Sequence, residues 1–314
     1  MNFYATYCLG TSVLILIFGF LTFLANKKNK LNKSWFLFNL SVAIWIGALG
    51  GTMIAKSSSS AFLFQKILYI GTIFIPVYFV DFCLILVGRE KKAKKILQLN
   101  LFIAFFFLAC LFLTDLFLKK IKEVTFFGYW PVEVGPLYYP FLVWFAILVI
   151  YSFLLLKKGY KNEKISFLRR QQIRFIFYGT LIGFLAGSLN FLLDFNVNIP
   201  PFYNLFVPFY LGFVGYAIVT KQLFGIRIIL TDFLIWIMAL ILFFEIFIFE
   251  SLLLKIIGIF IFLLFLIFAY FLIKAIHQEE KQRQVAEKLA KKEKELREQA
   301  QKLAKEWKML AQSK

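Results

Sequence analysis

The sequence predicts an all-α membrane protein: a polytopic bundle of about nine transmembrane helices, then a cytoplasmic coiled-coil helix. Three observations carry this. Of 314 residues, 61% are hydrophobic and 17% charged, whereas a soluble domain has roughly 25% charged residues to cover its surface. Apolar runs long enough to cross a bilayer, which takes about 20 helical residues, recur nine times along the chain. From His277 onward the character reverses, with eleven basic and seven acidic residues, no Gly and no Pro.

The composition excludes an ordinary cytosolic enzyme, and it excludes a disordered chain, which requires low hydrophobicity. A net charge of +19 suggests nucleic acid as a partner, but the basic residues flank apolar runs and read as membrane-surface anchors. No nucleic-acid partner is expected; membrane lipids are. Cys8, Cys83 and Cys110 all fall inside apolar runs, and His277 is the sole histidine. No disulfide framework, metal site or cofactor follows from them.

In chain order, the nine spans fall near 3–25, 34–55, 61–87, 96–118, 137–157, 173–195, 202–219, 232–250 and 252–274. The first has no basic segment before it and no small-residue cleavage site after it, so it reads as a retained helix. The last two form a hairpin about a tight turn near 251–255. That hairpin spans or re-enters the bilayer; the sequence leaves both open.

Charge sets orientation. The loops after spans one, three, five and seven hold eighteen Lys and Arg. The alternate loops hold Lys56, Lys119, Lys120, Lys122 and Lys255. Positive residues accumulate on the cytoplasmic side, which places the N-terminus outside and the tail in the cytoplasm of a bacterial cell.

Within the spans, Gly179, Gly183 and Gly187 share one helix face and allow close helix approach. Pro76 lacks an N–H and should kink the third span. Acidic residues are costly in lipid, so Asp81 and Glu245, well inside their runs, stand out, with no evident cation nearby. Asp115, Asp194 and Glu250 lie near outer ends, where Asn190, Asn196 and Asn204 could join them in a polar pocket. The longest outer loop, 119–136, carries Phe127, Tyr129 and Trp130 around Gly128 and Pro131, which suggests a short hairpin over the outer mouth. An input site is expected there, between the fourth, sixth and seventh spans, drawing on Asp115, Phe127, Tyr129, Trp130, Asp194, Asn196, Tyr203 and Asn204. The same residues equally suit an interfacial aromatic belt.

In the tail, Leu289, Leu296, Leu303 and Leu310 recur every seven residues. Taken as d positions they put Ala286, Glu293, Ala300 and Trp307 at a, a weak but continuous coiled-coil seam. A homodimer through this helix is expected; a solvated single helix is the alternative.

Several stretches resemble the seven-transmembrane N-terminal region of bacterial histidine kinases. They are Phe36 to Trp45, the proline-bearing third span, Gly135-Pro136-Leu137-Tyr138-Tyr139 and Arg169-Arg170-Gln171-Gln172-Ile173-Arg174. Asn204 to Pro208, Gly215 to Ile218 and Leu223 to Ile226 extend the likeness. It covers residues 1–228, a sensor-like bundle; 229–276 is then the added hairpin and 277–314 the signalling helix. The resemblance implies a receptor of a two-component system whose coiled coil passes a stimulus to a kinase core. No phosphoacceptor His box and no Gly-rich ATP segment occurs in these residues. The expectation is therefore a non-enzymatic sensor, its kinase core lying beyond this chain or on a separate partner. A small transporter or channel, or a scaffold dimerising through its tail, remain the alternatives; no internal repeat of the kind transporters carry is visible.

Overall fold

The computed structural model describes residues 3–195 except 164, then 197, 202–207, 210–211, 213–214 and scattered positions between 239 and 296. The chain divides into two units, Met1–Arg227 and Ile228–Lys314.

The first unit is a helical bundle. Its elements are α1 (Phe3–Ala25), α2 (Lys30–Ile54), α3 (Ser58–Leu86), α4 (Glu90–Leu113), strands β1 (Leu118–Ile121) and β2 (Val132–Val134), α5 (Tyr138–Lys161), α6 (Phe167–Ser188), the single turn α7 (Phe191–Asp194) and a 3-10 turn at Phe202–Phe206. Among the described residues six helices are long and apolar enough to cross a membrane, the sixth running from Phe167 to Asp194. They correspond to the first six expected spans. The seventh and ninth are described only in part, and the eighth, with Glu245, lies outside the described residues except at Ala239.

Helix ends are set by local hydrogen bonds that hydropathy does not reveal. Asn29 caps α2, its side chain accepting from the Leu31 N–H at 2.8 Å. Ser57 and Ser60 form a reciprocal capping box at the start of α3, satisfying N–H groups that a helix start leaves orphaned. Ser166 accepts from the Arg169 N–H at 3.3 Å, so α6 begins six residues before the apolar run. The fourth span, expected to reach 118, stops at Leu113. Thr114 takes an extended conformation, its hydroxyl donating to the Cys110 carbonyl at 2.8 Å and accepting from the Leu116 N–H at 3.2 Å. The chain then enters β1.

α3 is the hub, packed by α2, α4 and α5. In lipid there is no hydrophobic drive between apolar helices, so close fit supplies the attraction. At Gly71 an added Cβ would lie 2.6 Å from the Ser41 carbonyl oxygen; only glycine lets α2 and α3 cross that closely. Pro76 is buried within α3, which continues helical through it. The α6 glycines also serve packing: a Cβ at Gly179 would sit 2.7 Å from Phe213 Cβ, and one at Gly187 would sit 3.3 Å from the Trp45 ring. The core between the helices is largely aromatic, with Phe79 against Phe184 at 4.7 Å and Trp35 against Phe82 at 4.8 Å between centroids.

The second unit is described only in part, between 239 and 296. Leu289 and Leu296 are helical and exposed; Ala286, Ala300, Leu303, Trp307 and Leu310 lie outside the described residues.

Candidate functional site

One end of the bundle is closed by the segment between α4 and α5, the short hairpin the loop chemistry suggests. β1 and β2 pair antiparallel, with Leu118 opposite Val134 and Ile121 opposite Val132. Its tip is a tight turn: the Gly128 N–H donates to the Thr125 carbonyl at 2.9 Å and the Thr125 N–H to the Tyr129 carbonyl at 2.8 Å. Gly128 adopts φ 87°, a left-handed conformation that favours glycine. The hairpin folds back where the Gly135 N–H donates to the Phe117 carbonyl and the Leu137 N–H to the Leu116 carbonyl, each at 2.9 Å.

Beneath it lies a polar cluster around Asp194, whose side chain is held in the interior by the single turn that ends the sixth span. Asp194 is 3% exposed. Tyr69 of α3 and Tyr138 of α5 both donate to its Oδ2, Tyr138 at 2.9 Å, and their hydroxyls are 2.8 Å apart. Lys122 Nζ donates to the Asp194 carbonyl at 2.8 Å. Its ammonium therefore lies beside the carboxylate. Gln65 Nε2 donates to the Trp130 carbonyl at 2.6 Å, pinning the hairpin to α3. Tyr129 is buried. Burial first, and the nearby Asp194 charge second, push its hydroxyl well above the ordinary tyrosine value. The Tyr129 phenol therefore remains a protonated donor. The Val132 N–H also approaches the carboxylate. Asp194 Oδ1 nevertheless has no hydrogen bond of good geometry.

Alongside, Asn190 and Asn204 exchange amide hydrogen bonds of 2.8 and 3.1 Å, tying the last turn of the sixth span to the 3-10 turn. Below the cluster a cavity of about 60 Å³ extends between α2, α3 and α6.

The structure thus gathers Asp194, Tyr129, Tyr203, Asn190 and Asn204, with Trp130 contributing its backbone and Phe127 stacking on Tyr129 at 6.5 Å. Asp115 is exposed at the end of α4, since the helix stops short and its residue leaves the bundle. Asn196 lies outside the described residues. The walls are α3 and α5 rather than α4. Tyr69, Tyr138 and Gln65 went unsingled in the sequence because single polar groups in apolar runs pass as belt residues. A phenol or amide at helical depth next to an unexplained acid is the signal that could have found them.

A second buried acid sits toward the opposite end of α3. Asp81 accepts from Ser34 Oγ at 2.6 Å. Near it, at the end of α3, Arg169 Nε donates to the Leu86 carbonyl at 3.1 Å, linking α6 to α3. Among the described residues no group of three or more His, Cys, Asp or Glu could hold a metal ion.

Residues 8–227 match the sequence profile of a family described as the N-terminal 7TM region of histidine kinase. No curated protein matches the chain, and no solved structure does.

Proposed function

The chain belongs to the family of N-terminal 7TM regions of histidine kinases, a multi-pass membrane sensor region, and from that premise we propose how it signals. A stimulus arrives at the face covered by the β1–β2 hairpin, which the excess of Lys and Arg on the opposite loops marks as the outer one. The observation that carries the sensor reading is the family match over residues 8–227.

The site geometry supports a specific route. Tyr69 and Asp81 lie on the same helix as Leu86, so α3 extends roughly 25 Å from the Asp194 cluster to the Arg169 contact at 1.5 Å per residue. Anything that changes the bonding of Tyr69 biases a rod whose far end is tied to α6. A stimulus shifts the bundle only by binding its two arrangements unequally. The shift then passes to the tail, which pairs with a second copy. Leu289 and Leu296 are 63% and 56% exposed, and a leucine face with a seven-residue repeat is covered when two such helices associate. The recipient is a kinase core, in the same polypeptide or on a partner.

The test fuses residues 1–314 to a reporter kinase core and measures autophosphorylation in vesicles with the hairpin face accessible. Asp194→Ala should uncouple the output from stimuli added on that side while retaining membrane insertion. A cysteine introduced near Lys122 should react with an impermeant maleimide from outside, and one near Lys161 should not. The reverse labelling overturns the orientation, and an unaltered kinase response in Asp194→Ala overturns the route through the cluster.

A further inference from the structure

A second cleft lies at the end of the bundle away from the hairpin, where α3 turns into α4 and α5 ends. It measures about 440 Å³, and Arg89, Lys158 and Lys161 line it together with the apolar Val87, Leu155 and Ile165. Two local features gather these residues. α3 ends in a sharp turn: Gly88 takes φ 77°, its N–H donating to the Ile85 carbonyl at 3.0 Å and the Arg89 N–H to the Leu84 carbonyl at 2.8 Å. These are the two bonds of a Schellman cap, and they fix Arg89 at the junction with α4. On α5, Gly159 is buried, and an added Cβ would lie 2.6 Å from Val87 Cγ1 and 3.3 Å from Ile173 Cδ1. Glycine there lets α5 approach the end of α3, which brings Lys158 and Lys161 to the Arg89 turn.

The three cations meet without a counter-charge. None forms an ion pair among the described residues, and Glu90, next to Arg89, is taken by Lys30 at 2.8 Å. No acid is among the described residues that line the cleft. Like charges held together repel, and Arg89 is half-buried, so its guanidinium is not simply a side chain extended into water. Basic residues at the end of α5 do offset that helix's partial negative charge, about half a unit. One lysine is enough for that, and it leaves Arg89 without a purpose and a surplus of about two positive charges.

Depth selects the anion. The apolar run of α5 ends at Leu156 and its bases begin at Lys157, while α3 stays apolar to Val87. The cleft therefore straddles the boundary between hydrocarbon and headgroups, the level of lipid phosphates. A guanidinium fork matches two phosphate oxygens and an ammonium adds a point charge; basic pockets between spans suit anionic headgroups for this reason. A soluble phosphate makes no use of Val87, Leu155 and Ile165, whereas a lipid lays the start of its chains on them. We propose that this cleft binds a phosphate carried by an anionic phospholipid, held by Arg89, Lys158 and Lys161, with the first methylenes against the apolar residues. The site is separate from the Asp194 cluster and stands independently of the sensor reading.

The probe is phosphatidylglycerol with a diazirine near the glycerol end of one chain, diluted into phosphatidylcholine nanodiscs that hold the full chain. After photolysis, peptide mass spectrometry should find adducts at Val87, Leu155 and Ile165. Unlabelled phosphatidylglycerol should suppress them, and added phosphatidylcholine should not. Replacing Lys158→Gln together with Lys161→Gln should lower this labelling about tenfold or more, the scale of two lost basic contacts to an anionic lipid. Lys92→Gln with Lys95→Gln removes the same charge from exposed positions outside the cleft and should leave the labelling nearly unchanged. Phe102, 76% exposed, reports bulk lipid and should label equally in every variant. Where the first pair is not monodisperse, Arg89→Gln takes its place with the same expected loss. Equal losses from the two lysine pairs overturn the proposal, since any surface charge would then serve. Equal competition by phosphatidylcholine overturns it as well. Glycerol 1-phosphate displacing the probe as readily as the lipid does overturns the lipid as source and assigns the cleft to a soluble phosphate. No kinase enters the measurement, so its failure leaves the sensor reading where it stood.

Discussion

Asp194 and Asp81 are both buried carboxylates in one bundle, 3% and 7% exposed, yet their surroundings differ in kind. Among the described residues, Asp81 accepts from one side chain, Ser34. Asp194 draws donors from α3 and α5, carries a lysine from the hairpin on its own carbonyl, and borders a cavity. The difference separates a tolerated acid from a built site. Burial alone does not mark function; convergence of groups from several elements beside a cavity does.

The comparison breaks most directly on stability. Asp194→Ala leaves two buried phenols with only each other for a partner, and opens space between α3, α5 and α7. It should cost about 2–3 kcal/mol, the price of an unsatisfied buried donor plus lost packing. Asp81→Ala frees only one hydroxyl, which keeps the Tyr78 carbonyl within 3.4 Å, and should cost about 1 kcal/mol. Reversible unfolding in mixed micelles measures both. Equal losses would dissolve the distinction.

The contrast also shows where sequence stops being informative. Apolar length located six helices within a few residues, because a bilayer imposes its thickness on composition. Their ends moved wherever a cap decided: Ser57 and Ser60, Ser166 and Thr114 act through one or two hydrogen bonds that hydropathy averages away. Of the site, Asp194, Tyr129, Tyr203 and the two asparagines were legible, since acids and amides stand out in apolar runs and the hairpin carries Gly and Pro punctuation. Asp115 misled because it shares that chemistry but lies just beyond the end of a helix that stops early. Tyr69 and Tyr138 were hidden because the pairing of α3 with α5 across the Asp194 turn is a tertiary fact. Gly71 was silent for the same reason, as only the crossing with Ser41 explains it.

A sharper test asks whether the two tyrosines act as one unit. Both hydroxyls go to the same oxygen and touch each other, so removing one lets the survivor and the carboxylate readjust. Tyr69→Phe and Tyr138→Phe should each cost about 1 kcal/mol. The double variant should differ from their sum by about 0.5 kcal/mol or more, as expected for residues in one network. Strict additivity would mean that the phenols merely fill space around Phe117, against which both rings pack edge-on at 5.5 and 5.8 Å.

The smallest effect belongs to the hairpin's outer rim, where charge is exposed rather than buried. Glu133 lies 3.2 Å from Lys119 and 3.5 Å from Lys120. The Lys119 hydrogen bond, first among several causes, holds its carboxyl below the ordinary glutamate value. Because the folded value is the depressed one, the contribution is complete above the ordinary glutamate value and disappears as pH falls through the lower, folded one. An exposed pair of this sort is weak and screened by salt. The readout is hydrogen-exchange protection of the Lys122 amide, which donates across the ladder to the Pro131 carbonyl at 2.8 Å. Protection should decline slightly on acidification through that window, less at high salt, and not at all in Glu133→Gln. The amide of Leu193, which donates to Asn190 beside the Asp194 cluster at 3.1 Å, should not follow Glu133→Gln. If it does, the rim and the buried site open together, and the hairpin is part of one cooperative unit with the acid beneath it.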